Sequence, residues 1–223
     1  MRIRIECGRY HGMSRSGPVL MSRVVKVSPQ TPLVLGSASA RRRELVARLG
    51  LPFVVCSPSL DEGRDGSETP DAYLERIAQG KLDAVRTQWA GDAAGVLVAD
   101  TIVVSPAGNL LGKPASVEEA AEMIGELSGA THEVRTRFVL AAIARGAPAV
   151  CAQTVATRVT FRRVSDRERR NYAASGEGLD KAGAYAVQGM AAAFIERIDG
   201  SYTNVVGLPL CEVVVAMREM GWV

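Results

Sequence analysis

One run of residues, 96–104 (VLVADTIVV), constrains the fold of this chain more than any other. Its β-branched and aliphatic side chains predict a strand, yet Asp100 stands at its centre. A carboxylate that is buried and unpaired inside a strand costs several kcal/mol, so the fold has to bring something to compensate it. A metal ion or a basic cluster would serve. The alternative is that Asp100 marks a bend, or faces solvent on a half-exposed strand.

The chain carries two sources of positive charge that could meet this need. Residues 37–49, SASARRRELVARL, read as a tight turn with capping hydroxyls followed by a helix whose buried stripe is Leu45, Val46 and Leu49. Arg41, Arg42 and Arg43 then fall in the first helical turn, where the helix dipole makes each exposed cation unfavourable by roughly 0.3–1 kcal/mol. A phosphate bound there by backbone N–H groups, serine hydroxyls and guanidinium forks reverses that sign; a solvated basic turn partnered by Glu44 is the other reading. The second source is Lys81. It lies in a helix that Thr69 caps and Pro70 opens, beside the stripe Tyr73, Leu74, Ile77, Ala78, Leu82 and Val85. Lys81 either covers apolar surface with its stem or directs its ammonium into a cleft.

The remaining pattern is mixed. Residues 31–35 and 53–56 read as short strands, separated from the Thr69 helix by a polar, acidic loop over 57–68 that contains Glu62. A turn at 106–109 sends the chain back through Leu110 and Leu111 to Lys113, towards the end of the strand that carries Asp100. Ser116 and Glu119 form a capping box for a helix with Val117, Ala120, Ala121, Ile124 and Leu127 inward. Residues 134–143 and 153–161 alternate as an antiparallel pair joined by a turn around Gly146 and Pro148. Ser165 and Glu168 open a short helix ending near Gly176, and a last helix runs over 209–220. An α/β sheet with helices packed on it accommodates this order.

Composition narrows the function classes. The 27 basic residues are nearly balanced by 24 acidic ones, for a net charge of +3, which argues against strong nucleic-acid binding. Cys7, Cys56, Cys151 and Cys211 show no zinc-ligand spacing and, with only two histidines, predict reduced thiols in a cytoplasmic protein. No apolar run is long enough to span a bilayer. Residues 1–30 lack a continuous apolar segment and read as an unstructured extension rather than a signal peptide, leaving 31–223 as a single catalytic domain. Residues 176–189, GEGLDKAGAYAVQG, are glycine-rich and carry Gln188, whose amide can pair with a base edge through one donor and one acceptor.

Taken together, the blocks SASARRREL, VADTIVV, LGKP, LSGATHEV, GLDKAGAYAVQG and IERIDGSYTNVVGLPL resemble, in order and spacing, the Maf family of nucleoside triphosphate pyrophosphatases, over about residues 33–217. The resemblance implies an elongated α/β fold related to inosine triphosphate pyrophosphatases, with two lobes around a deep cleft, and commonly a homodimer. It implies hydrolysis of a nucleoside triphosphate to the monophosphate and pyrophosphate with a divalent metal, Mg2+ or Mn2+. The block DKAGAYAVQG is similar to the branch that acts on dTTP and UTP. By the match, Asp100 falls at the proton-acceptor position and Arg41, Thr101 and Gln188 at substrate-specificity positions. Ser37, Arg42, Lys81 and Lys113 align with phosphate contacts, and Glu62 joins Asp100 as a metal-holding candidate. Two residues depart from the family pattern: Ala40 replaces a usual Pro, and Ala186 a usual Gly. Two other readings compete: a pyrophosphatase for modified nucleotides, such as methylated or pseudouridine triphosphates, and a division regulator that binds nucleic acid or a protein partner.

Overall fold

The computed structural model describes residues 25–57, 59–63, 68–143 and 149–223. Its centre is a seven-stranded mixed sheet in the order β2-β1-β3-β5-β6-β7, with β4 pairing to β3. The strands are β1 (Leu33–Gly36), β2 (Phe53–Val55), β3 (Gly95–Val104), β4 (Leu110–Leu111), β5 (Thr131–Ala141), β6 (Ala149–Phe161) and β7 (Ile195–Asp199). β1 runs parallel to β2 and β3, and the other pairings are antiparallel. The helices are α1 (Ala40–Ala47), α2 (Pro70–Gln88), α3 (Val117–Leu127), α4 (Asp166–Ala174), α5 (Tyr202–Val206) and α6 (Leu210–Glu219). The mixed α/β class read from the sequence is the class observed. No helix among the described residues is long and apolar enough to cross a membrane.

Period-2 alternation sends neighbouring strand residues into different layers. Leu33, Leu35, Leu97 and Ala99 pack with Leu45 and Val46 of α1 and with Val213, Met217 and Trp222 at the C-terminal end. Val34, Val96 and Val98 pack on the opposite face against Ala78, Leu82 and Val85 of α2. Each of the fully buried Leu, Val and Met side chains among them contributes about 1.5–3 kcal/mol. The consequence for β3 is that Asp100 falls in the α2 layer and Thr101 in the α1 layer.

A second consequence of register is an opening in the sheet. β5 pairs with β3 from Val96 to Val104, but on the other edge β1 reaches only Val98, and β4 pairs only with Val103 and Val104. Residues 99–102 therefore face no described strand on that edge. This gap lies beyond the carboxyl end of the parallel strand β1, where open α/β sheets bind their ligands.

Several local expectations shift. Val117, the first residue of α3, is exposed rather than inward, and Leu49 lies past the end of α1 and only half-buried. The Ser116 hydroxyl accepts the Glu119 N–H, but the Glu119 carboxylate accepts from Ala115, one residue before the cap; the Ser165 and Glu168 box is complete. The β5–β6 pair is longer than its apolar alternation, and its expected turn at Gly146 and Pro148 lies outside the described residues. Of the N-terminal extension, 1–24 lie outside them too. Within 25–30, the Val27 N–H donates to the Trp222 carbonyl and Ser28 turns against Thr31.

Candidate active site

The gap in the sheet opens into a cavity of about 790 Å³. Every site residue named from the sequence lines it: Ser37, Arg41, Arg42, Glu62, Lys81, Asp100, Thr101, Lys113 and Gln188. Arg43, the third arginine of the run, is exposed and does not.

The first wall is the β1–α1 corner. Ser37 Oγ accepts the Ser39 N–H at 3.2 Å, and Ser39 in turn caps α1 by accepting the Arg42 N–H. Arg42 folds back across the helix start. Its Nε donates to the Gly207 carbonyl at 2.8 Å, Nη2 to Thr101 Oγ1 at 2.9 Å, and Nη1 reaches Ser37 Oγ at 3.5 Å. Burial lowers its pKa, opposed by the charge of Asp100, and the fork bonds keep the guanidinium fixed. Thr101 stands opposite Thr136 in the β3–β5 ladder, their hydroxyls 2.9 Å apart, and Thr136 donates to the Asn204 carbonyl. Thus Arg42 is held through β3 and β5 to the segment around α5.

The second wall is α2 against β3. Lys81 sits four residues after Ile77, on the buried stripe of α2, and its ammonium lies 2.6 Å from Asp100 Oδ1 and 2.8 Å from Glu62 Oε1. Asp100 is 7% exposed and Lys81 8%. These distances decide both open questions from the sequence. Asp100 neither bends the strand nor faces solvent, and Lys81 does not merely cover apolar surface. The buried carboxylate is compensated by a lysine from the neighbouring helix. For Glu62, burial pushes the pKa up, but the Lys81 hydrogen bond and charge, with Lys113 and Arg42, outweigh it and hold the carboxyl below its usual range. Tyr73 donates its hydroxyl to the Glu62 carbonyl, and burial with the nearby Asp100 and Glu62 charges pushes its pKa up to about 12.

The facing wall is the loop around Asp180 to Gln188 together with Lys113 after β4. Gly183 allows its close approach: at φ 68° its N–H donates to the Gly112 carbonyl, and a Cβ there would meet the Val103 side chain at 2.9 Å. Asp180 pairs with Arg41 across the cavity at 3.3 Å and with its neighbour Lys181, which also donates to the Glu177 carbonyl. Gln188 is exposed and its amide bonds to no described residue.

Three contributors escaped the sequence reading. In the sequence Tyr73 is only a member of the α2 stripe. Thr136 has no motif signal; its role follows from strand register. The Gly207 carbonyl lies in the VVGLP block, but a main-chain acceptor has no residue signature.

Chemically, the cavity gathers Arg41, Arg42, Lys81, Lys113 and Lys181 against Glu62, Asp100 and Asp180. An anionic ligand suits this balance, and a cavity of this volume holds a small molecule. No three His, Cys, Asp or Glu side chains cluster as a metal site among the described residues. Glu62 and Asp100 do converge on one ammonium, and the donor set fits a hard cation that takes one or two carboxylates and completes its shell with phosphate oxygens and water.

Comparison with known proteins gives a consistent picture. The family model described as Maf-like protein matches residues 32–220. A dTTP/UTP pyrophosphatase of Hahella chejuensis is 46% identical over 191 residues, which is 85% of this chain and 92% of that one. One of Myxococcus xanthus is 47% identical over 192 residues, 86% and 94% of the two chains, and one of Geobacter sulfurreducens 46% over 189 residues, 85% and 96%.

Proposed function

The chain belongs to the Maf family, and from that premise we propose that it hydrolyses nucleoside triphosphates, dTTP and UTP foremost, to the monophosphate and pyrophosphate. The observation that carries this reading is the buried Lys81–Asp100 pair, joined by Glu62, opening onto a cavity rich in cationic side chains.

In the reaction a water oxygen attacks the α-phosphorus, the bond from that phosphorus to the bridging oxygen breaks, and pyrophosphate departs with the electron pair. Asp100 takes the proton of the attacking water. Lys81 holds the Asp100 carboxylate in one orientation, and Glu62 holds Lys81 from the other side. Arg42, fixed by Gly207 and Thr101 before any ligand arrives, offers a preorganised charge to the phosphates, and Ser37 a hydroxyl beside it. Lys113 makes no ion pair with a described residue, so its ammonium is available to the leaving group. Arg41, Thr101 and Gln188 face the nucleoside, with the Gln188 amide matched to the edge of a uracil or thymine. A divalent cation, Mg2+ or Mn2+, would be held by Asp100 and Glu62 and would supply positive charge against the phosphate oxygens and acidity to water.

The test is pyrophosphate release with Mg2+ or Mn2+ across dTTP, UTP, CTP, dATP, GTP and 7-methyl-GTP, alongside Asp100→Asn. The expected outcome is turnover concentrated on dTTP and UTP, lowered about 10²–10⁴-fold in the variant, as for loss of a positioned general base. A folded, fully active Asp100→Asn would sink the assignment of the base. Turnover on none of the nucleotides would sink the activity.

A further inference from the structure

The block LSGATHEV contains a residue that the reaction does not use. His132 lies on β5, 1% exposed, among aromatic rings: Phe161 and Tyr185 both meet it edge to face at centroid distances of 5.0 and 5.4 Å. Its Nε2 is 2.8 Å from the Tyr185 hydroxyl, while no described residue bonds to its Nδ1. Burial pushes its pKa down to about 4, so the ring is neutral near pH 7. A neutral imidazole has one donor and one acceptor nitrogen. Either tautomer therefore leaves one buried polar group unsatisfied, which is uncommon and asks for a reason. An apolar side chain would fill the same space without that penalty. What the histidine adds is the bond to Tyr185.

Tyr185 belongs to the facing wall of the cavity and precedes Gln188 by three residues. This stretch is not relaxed backbone. Gly183 and then Ala184 both take positive φ, 68° and 59°, the latter a conformation an alanine rarely adopts. Such a path persists only when its surroundings fix it. Two buried side chains do so from outside the loop: the Tyr172 hydroxyl accepts the Ala186 N–H at 3.2 Å, and the His132 imidazole bonds the Tyr185 hydroxyl. Beyond these anchors Gln188 projects, exposed and unbonded to any described residue.

We propose that His132, acting through Tyr185, is a positioning residue that fixes the loop carrying Gln188 and so sets which pyrimidine the site accepts without touching it. This rests on the reading above that Gln188 faces the base. Uracil and cytosine are equal in size and differ in the donor and acceptor pattern of one edge. A loop free to drift lets the Gln188 amide present either pattern, whereas a fixed loop presents one.

The experiment measures kcat and KM for UTP and CTP in the wild-type chain and in His132→Leu, His132→Gln, Tyr185→Phe and Gln188→Ala. In His132→Leu the preference for UTP, as the ratio of kcat/KM values, is expected to fall about three- to tenfold, the range that one net hydrogen bond accounts for. The loss should lie in KM, with kcat for UTP little changed, and His132→Gln, whose amide can occupy the place of Nε2, should restore much of the ratio. Tyr185→Phe removes only the hydroxyl of the same bond, so it stands in if His132→Leu does not fold; it should lower the ratio to a similar extent. An intact ratio in Tyr185→Phe, or a fall in kcat with the ratio preserved, overturns the proposal as a packing effect. If Gln188→Ala abolishes the preference while the His132 and Tyr185 variants keep it, His132 alone is misassigned and the activity stands. If Gln188→Ala keeps it too, the loop does not read the base and the proposal falls with that reading. A wild-type chain that releases no pyrophosphate removes the activity itself.

Discussion

On the α2–β3 side of the cavity, the side chains of Lys81 and Asp100 are only 10% and 11% exposed and bonded to each other, and Arg42 nearby is held on two sides. On the facing loop, Asp180 has a 70% exposed side chain and Gln188 stands in solvent, while the support lies deeper, in His132, Tyr172 and Tyr185. The difference suits the two tasks proposed for these walls. Charges that must act on a reacting centre gain from a fixed, poorly hydrated setting. Side chains that inspect a ligand need free donors and acceptors, and only their backbone must be fixed.

The comparison is broken most directly at Lys81. Lys81→Met keeps the packing of the stem on α2 but leaves Asp100 and Glu62 facing each other without their ammonium. Loss of one member of a buried pair is expected to lower stability by about 3 kcal/mol, read by urea unfolding at pH 7, together with a large loss of turnover. Adding Asp100→Asn should restore part of the stability and none of the activity. Unchanged stability in the single variant would mean that this wall is as hydrated as the other.

A second effect probes the root of the loop that carries Gln188. His132 has an ordinary pKa of 6.5 that folding pushes down to about 4 through burial. As pH falls, the unfolded histidine takes up its proton first. The full contribution of the neutral ring is therefore present above pH 6.5, is lost between 6.5 and 4, and stops changing below 4. The integrated loss is about 3 kcal/mol. Many carboxylates titrate over the lower part of this window, so the measurement is the difference between wild type and His132→Gln, by urea unfolding at pH 7 and pH 4.5. A smaller acid loss in the variant is expected. Equal losses would show that His132 is reached by water and that its loop is not anchored as drawn.

The same contrast explains what the sequence revealed. Asp100 is legible as a problem because a carboxylate conflicts with the run VLVADTIVV, and Lys81 because it lies beside an apolar stripe; each is the other's answer, across 19 residues of chain. No spacing rule pairs them, since their meeting depends on how α2 packs on β3. Helix starts at Ser39, Thr69, Ser116 and Ser165 were readable because capping is local chemistry. The gap at residues 99–102 was not, because it is set by where β1 ends relative to β4. Nor was His132, an unremarkable residue until its register places Nε2 against Tyr185. The resemblance to a family groups the cavity residues as periodicity alone does not, but it gives Arg42 only as a phosphate contact and does not reveal that its guanidinium is also spent on the protein's own Gly207 and Thr101.

The smallest expected effect sharpens the comparison from the exposed side. The Arg41–Asp180 pair joins the two walls, yet Asp180 is largely in solvent and shares its charge with Lys181, so Asp180→Asn should change stability by no more than about 0.5 kcal/mol. Its effect belongs to binding. An anionic nucleotide approaching Arg41 has to compete with Asp180, and removing that carboxylate leaves both Arg41 and Lys181 unneutralised. KM for UTP is expected to fall about two- to threefold at low ionic strength, with the gain shrinking as salt approaches 1 M, where screening reaches about 3 Å. A KM that rises instead would mean that Asp180 holds Arg41 in the orientation the nucleotide needs, and the pair would then belong with the fixed wall rather than the open one.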